Sequence, residues 1–89
     1  MNEITRHLKI ISDILKGYED CEVIAGDYHP NKAMMLRCEL QEIIDSGKQD
    51  YESMVECIVS AGNYLSKKGT VEDRSEFYAA KLFLMGGEK

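Results

Sequence analysis

An all-α domain of four helices, packed as a small helical bundle with no significant β-sheet, is the fold that this chain predicts. Three observations carry the expectation. Apolar residues recur at spacings of three and four along four separate stretches. Gly17, Gly47, Gly69 and the Gly86-Gly87 pair fall where those stretches stop. With 89 residues, 44% of them apolar and 30% charged, residues 1–89 suffice for one folded domain, although a chain this short has a thin core.

The first helix is expected from Glu3 to Lys16, with Asn2 as its N-cap and Gly17 as its stop. Ile4, Leu8, Ile11 and Leu15 form one seam, and Ile10 and Ile14 sit beside it. That face is wide enough to touch two neighbours. His7 lies off the seam and is expected at the polar surface. The segment from Tyr18 to His29 shows no helical period. It is expected to be a loop with at most one helical turn, held down by Val23 and Ile24. Asp27-Tyr28-His29-Pro30 reads as a turn into the second helix, with Pro30 at the first helical position.

The second helix then runs from Pro30 to Ser46 and stops at Gly47. Ala33, Leu36, Leu40, Ile43 and Ile44 share its apolar face. Met34 and Cys38 fall on the opposite side, beside Gln41 and Asp45. Either the loop from Tyr18 to His29 partly covers these two, or they form a small contact patch, a role that methionine suits because it repacks easily.

The third helix is expected from Tyr51 to Lys68, capped by Asp50 and stopped by Gly69. Tyr51, Met54, Val55, Ile58, Val59, Ala61, Gly62 and Leu65 occupy one broad face, opposite Glu52, Glu56, Ser60 and Asn63. Gly62 inside an apolar helix face costs about 1 kcal/mol against alanine, which close approach of a neighbouring helix would offset.

The fourth helix is expected from Val71 to Met85, ended by Gly86-Gly87. Thr70 and Asp73 resemble a capping box, with Asp in place of Glu or Gln. This helix has two apolar sides. Phe77, Ala80 and Leu84 make one, Val71, Tyr78, Leu82 and Met85 the other, and Phe83 lies apart. The second side is expected to pair with a second copy of the chain in a homodimer.

The net charge is −5 and the isoelectric point about 4.9. Such a surface repels nucleic-acid backbones unless a basic patch dominates, and the only adjacent basic pair is Lys67–Lys68. Acidic residues are concentrated instead. Glu39, Glu42, Asp45, Glu52 and Glu56 are expected to form an acidic face that docks on a protein partner.

Three cysteines, Cys21, Cys38 and Cys57, are too few and too widely spaced for a disulfide framework. Free thiols fit a reducing cytoplasm. A zinc site built with His7 or His29 has no Cys-x-x-Cys pair to support it. No apolar run approaches the roughly 18 residues that cross a bilayer, and Glu3 stands where a signal peptide carries positive charge. A cytoplasmic location without a membrane partner is therefore expected.

Catalytic patterns are missing from the chain. It has no Glu-x-x-His pair, no Asp-x-Asp calcium loop and no glycine-rich phosphate cradle. No enzymatic activity, cofactor or metal is therefore expected. The leading functional expectation is a small acidic module that binds or inhibits a host protein, including one that normally handles nucleic acid. One rival is a transcriptional regulator contacting DNA through the third and fourth helices, which are joined tightly by Leu65 to Val71. In that arrangement Val71, Glu72 and Asp73 would meet the DNA before Arg74, and the two carboxylates oppose it. A bundle with a small-molecule pocket is a third.

Overall fold

The computed structural model describes residues 3–46 and 51–85. Its four helices are α1 (Glu3–Lys16), α2 (Lys32–Ser46), α3 (Tyr51–Lys68) and α4 (Val71–Met85). The chain is mostly helical, and α1, α3 and α4 have the bounds that their apolar spacing predicts. The caps expected at Asn2 and Asp50, and the stops at Gly47 and Gly86-Gly87, lie outside the described residues.

α1 packs against both α2 and α4, and α3 packs against the same two helices. The core lies between the four. Leu8, Ile11 and Leu15 of α1 meet there with Leu40, Ile58, Leu65 and Phe77, all fully buried. α2 contributes Ala33 and Leu36 as well, while Ile43 and Ile44 stay half-buried at its margin. Phe77, Ala80 and Leu84 are the buried side of α4, as their spacing predicts.

α3 differs in detail. Its buried stripe is Met54, Cys57, Ile58, Ala61 and Leu65. Tyr51 and Val59, expected on the apolar face, are exposed. Two packing neighbours cover a narrower stripe than the run of apolar residues offers. Gly62 behaves as expected. A Cβ placed on it would lie 3.0 Å from Phe77 Cε2 and 3.1 Å from Cζ, so the missing side chain is the space that the Phe77 ring uses.

The stretch expected to be a loop is an antiparallel hairpin. β1 (Cys21–Ile24) pairs with β2 (Asp27–Pro30), from Cys21 opposite Pro30 to Ile24 opposite Asp27. Ala25 and Gly26 form the turn, with φ of 53° and 86°. Two successive positive φ values are the mark of a type I′ turn, whose twist suits the strands. Gly26 adopts such a φ freely, whereas Ala25 does so against its own Cβ. The expectation of no β-sheet is thus corrected by this one small sheet. Val23 and Ile24 do not hold the segment down, since 62% and 54% of their surfaces are exposed.

Asn31 anchors the hairpin's base. Its Nδ2 donates to Tyr18 O (2.8 Å) and its backbone N–H to Asp20 O (2.9 Å). Its Oδ1 accepts the Met34 N–H (3.0 Å), which makes Asn31 the N-cap of α2. Pro30, expected as the first helical residue, instead ends β2. Arg37 Nε–H donates to Glu19 and ties the same corner to α2. This bond, with the charge of Glu19, holds the Arg37 guanidinium above its ordinary pKa.

Tyr18 closes the opposite side of that corner. Its hydroxyl donates to Asp73 Oδ2 (2.5 Å) and accepts the Thr70 N–H (2.9 Å). Thr70 Oγ1 accepts the Asp73 N–H (3.1 Å), the forward half of a capping box. In the full motif a Glu or Gln side chain reaches back to the N-cap amide. Asp73 is one methylene shorter than Glu, and the Tyr18 hydroxyl fills the gap between carboxylate and amide.

His7 is a further correction. Its ring is stacked on Phe83, with centroids 4.0 Å apart and planes 7° from parallel. Nδ1–H donates to Glu3 O at 2.7 Å. His7 precedes Ile11 by four residues and Ile14 by seven, which puts it on the side of α1 that meets α4.

Candidate protein-binding surface

α2 turns Ala33, Leu36 and Leu40 inward, so the residues between them point outward. Met35, Cys38, Glu39 and Glu42 are exposed and Met34 is half-buried. The hairpin rises on one side of this row and α3 on the other. Two grooves result.

The first groove lies between the hairpin and α2 and measures about 470 Å³. Tyr28 and Pro30 of β2 form one wall, and Met34, Met35 and Cys38 form the other, with Cys21 also lining it. Apart from Glu39, the described residues that line it are sulfur-containing residues, a proline and a tyrosine. The expected contact patch at Met34 and Cys38 is therefore one wall of a groove. The preceding segment stands against these residues through Tyr28 and Pro30, with Met34 half-buried and Cys38 exposed.

The second groove lies between α2 and α3 and measures about 480 Å³. Glu39 and Glu42 line it from α2 and Glu56 from α3, and Lys32 lines it as well. Met35 and Glu39 line both grooves, so the two form one continuous surface. Among the described residues, none of these three carboxylates is in an ion pair.

The expected acidic face is thus divided. Glu39, Glu42 and Glu56 come together. Asp45 is exposed outside the groove, where its Oδ1 accepts Gln41 Nε2–H (2.9 Å), and Glu52 is exposed outside it as well. Tyr28, Pro30 and Met35 were not among the expected contact residues. The helical period alone points to Met35, which precedes Glu39 by four residues and Glu42 by seven. Tyr28 and Pro30 become visible only once the hairpin is known.

Cys57 forms the floor of the acidic groove. Its Sγ–H donates to Glu39 Oε1 at 3.4 Å. Burial, that hydrogen bond, and the charges of Glu39 and Glu56 push its pKa up from 9.0 to about 12. The thiol therefore stays protonated near neutral pH, the unreactive form of a cysteine. All three cysteines are free thiols.

A second apolar surface lies on α4. Tyr78, Leu82 and Met85 line a shallow cleft of about 360 Å³ together with Lys81, whose ammonium sits 5.7 Å from the Tyr78 ring centroid. Leu82 is 60% exposed, and Val71 extends the exposed stripe at the start of the helix. Met85 is half-buried and also touches the core.

The two histidines lie on separate elements, His7 under Phe83 and His29 opposite Glu22 in the hairpin. Among the described residues, no three or more His, Cys, Asp or Glu side chains are grouped to share a metal ion. No described helix is long and apolar enough to cross a membrane. At the start of α4, Glu72 is exposed and Asp73 is engaged by Tyr18. No family model, curated protein or solved structure matches this chain.

Proposed function

We propose that this chain is a non-enzymatic interaction module whose α2 face binds, and so inhibits or recruits, a host protein. The observation that carries this reading is the pair of adjoining grooves along α2, one apolar and rich in sulfur, the other lined by carboxylates. Apolar anchors in a pocket supply affinity, while like-signed charges beside them steer the approach and select the partner. The α4 stripe supports pairing with a second copy of the chain. Three free thiols fit work in the cytoplasm.

The test compares capture by variants. Immobilised wild-type chain should retain a protein partner from a native lysate, and Glu42→Lys should lose most of it. Glu52→Lys, reversed outside the groove, should retain it. Capture should also weaken as salt is raised, since exposed charges are screened within roughly 10 Å at 0.1 M salt. Equal capture by both reversed variants would return the carboxylates to a solubilising role. Recovery of nucleic acid in place of protein would favour a DNA-contacting regulator built on α3 and α4.

A further inference from the structure

We infer that the occupant of the α2 face is a basic amphipathic helix of the partner protein. The inference rests on the reading of this face as a protein-binding surface and names the chemistry that fits it.

Charge complementarity comes first. Glu39, Glu42 and Glu56 place three carboxylates in one groove, against the ammonium of Lys32, so its lining is negative on balance. The chain as a whole carries −5. An occupant must bring cations to this side or leave the carboxylates to lose water without compensation. On the other side of Met35 lies the apolar groove, where Met34, Met35 and Cys38 face Tyr28 and Pro30. An occupant must bring apolar side chains there.

The two demands run side by side along α2, from Met34 to Glu42. Eight residues of helix span about 12 Å, close to the width of one helix and two turns of its length. A helix with one apolar stripe and one Lys or Arg stripe meets both demands at once. Methionine walls suit such a ligand, because their unbranched thioethers repack around varied apolar side chains. Tyr28, 77% exposed on a two-stranded hairpin, gives the groove a large aromatic wall.

The test uses three synthetic helices of about five turns with the same leucine stripe and Lys, Gln or Glu on the polar face. A fourth peptide has the Lys composition scrambled so that no apolar stripe forms. Titration calorimetry gives affinity, and the methionine methyl resonances of the full chain report the place of binding. The Lys helix should bind and shift the methyls of Met34 and Met35 while leaving the buried Met54 unmoved. The Gln helix should bind roughly tenfold or more weakly, and the Glu helix should not bind. The double variant Glu42→Lys, Glu56→Lys should lose the preference for the Lys helix.

Binding by the scrambled peptide as tight as by the Lys helix would reduce the effect to nonspecific charge and overturn the inference. Equal binding of the Gln and Lys helices at Met34 and Met35 would also overturn it, with the protein-binding face left standing. Methyls that shift on concentrating the chain alone would make a second copy the occupant. If no peptide shifts Met34 or Met35, the inference falls, and capture by Glu42→Lys against Glu52→Lys decides the reading of the face separately.

Discussion

Cys57 occupies a position where three influences act on one proton. Its thiol is buried, donates to Glu39, and faces the negative charge of Glu56 as well. All three oppose the thiolate, and the pKa rises to about 12. In the unfolded chain the same thiol titrates near its ordinary value of 9.0. Between these two values the folded state holds a proton that the unfolded state has lost, so stability falls as pH rises. Below pH 9 the thiol is protonated in both states and contributes no pH dependence. Denaturant midpoints measured from pH 8 to 11 should therefore fall more steeply for wild type than for Cys57→Ser, which has no thiol to ionise. Parallel curves would mean that the thiol ionises as readily folded as unfolded. At this scale the sequence is only partly legible. Apolar spacing finds Leu8, Ile58 and Phe77; Cys57, three residues after Met54 and four before Ala61, joins that stripe only when cysteine is counted as apolar, and His7 looks polar until Phe83 is seen stacked on its ring.

Three of the four helices are legible in the sequence almost to the residue, because seam, stop and start signals agree with one another. The hairpin is not. Its strands are four residues each, and its turn is Ala-Gly, without the Asn or Asp that announces a type I′ turn. Its side chains are mostly exposed, so no alternation of burial marks the strands. Asn31, placed just after Pro30, is the one local signal that the second helix begins later than proline suggests. Gly62 is the best-founded inference about an element, since the cost of glycine in a helix implied a close neighbour and Phe77 is that neighbour. Alanine there would gain about 1 kcal/mol of helical preference. It would also press on a ring that is 1% exposed and has little room to move, at about 1–3 kcal/mol. The net expectation for Gly62→Ala is a loss on the order of 1 kcal/mol, a fall in Tm of roughly 4–8 °C. A rise in Tm would show that Phe77 yields.

For the molecule as a whole, the four described helices leave apolar surface uncovered on α2 beside the hairpin and on α4 around Leu82. The surplus on each helix is legible from the count of apolar residues. Which carboxylates gather beside α2 is not, because that depends on how closely α3 lies against it. Leu82→Glu tests the α4 surface. With 60% of Leu82 exposed, the variant should fold as stably as wild type to within roughly 0.5 kcal/mol. By sedimentation it should be a monomer at concentrations where wild type is a dimer. A monomeric wild type would leave the stripe free for another protein.

The tie made by Tyr18 bears on how the domain comes apart. Its hydroxyl accepts an amide 52 positions further along the chain and donates to a carboxylate 55 positions away. The first turn of α4 is therefore completed by a group that arrives only when the end of α1 has docked. Helix nucleation is the costly step of helix formation, and here part of it depends on closing a loop of 52 positions. α4 should not persist once α1 has left, and unfolding should be all-or-none. Tyr18→Phe leaves the Asp73 carboxylate without this donor, at about 1–3 kcal/mol. Amide exchange at Thr70 should then accelerate much more than exchange within α2. Unchanged protection at Thr70 would mean that α4 starts unaided and that the two ends of the chain fold independently.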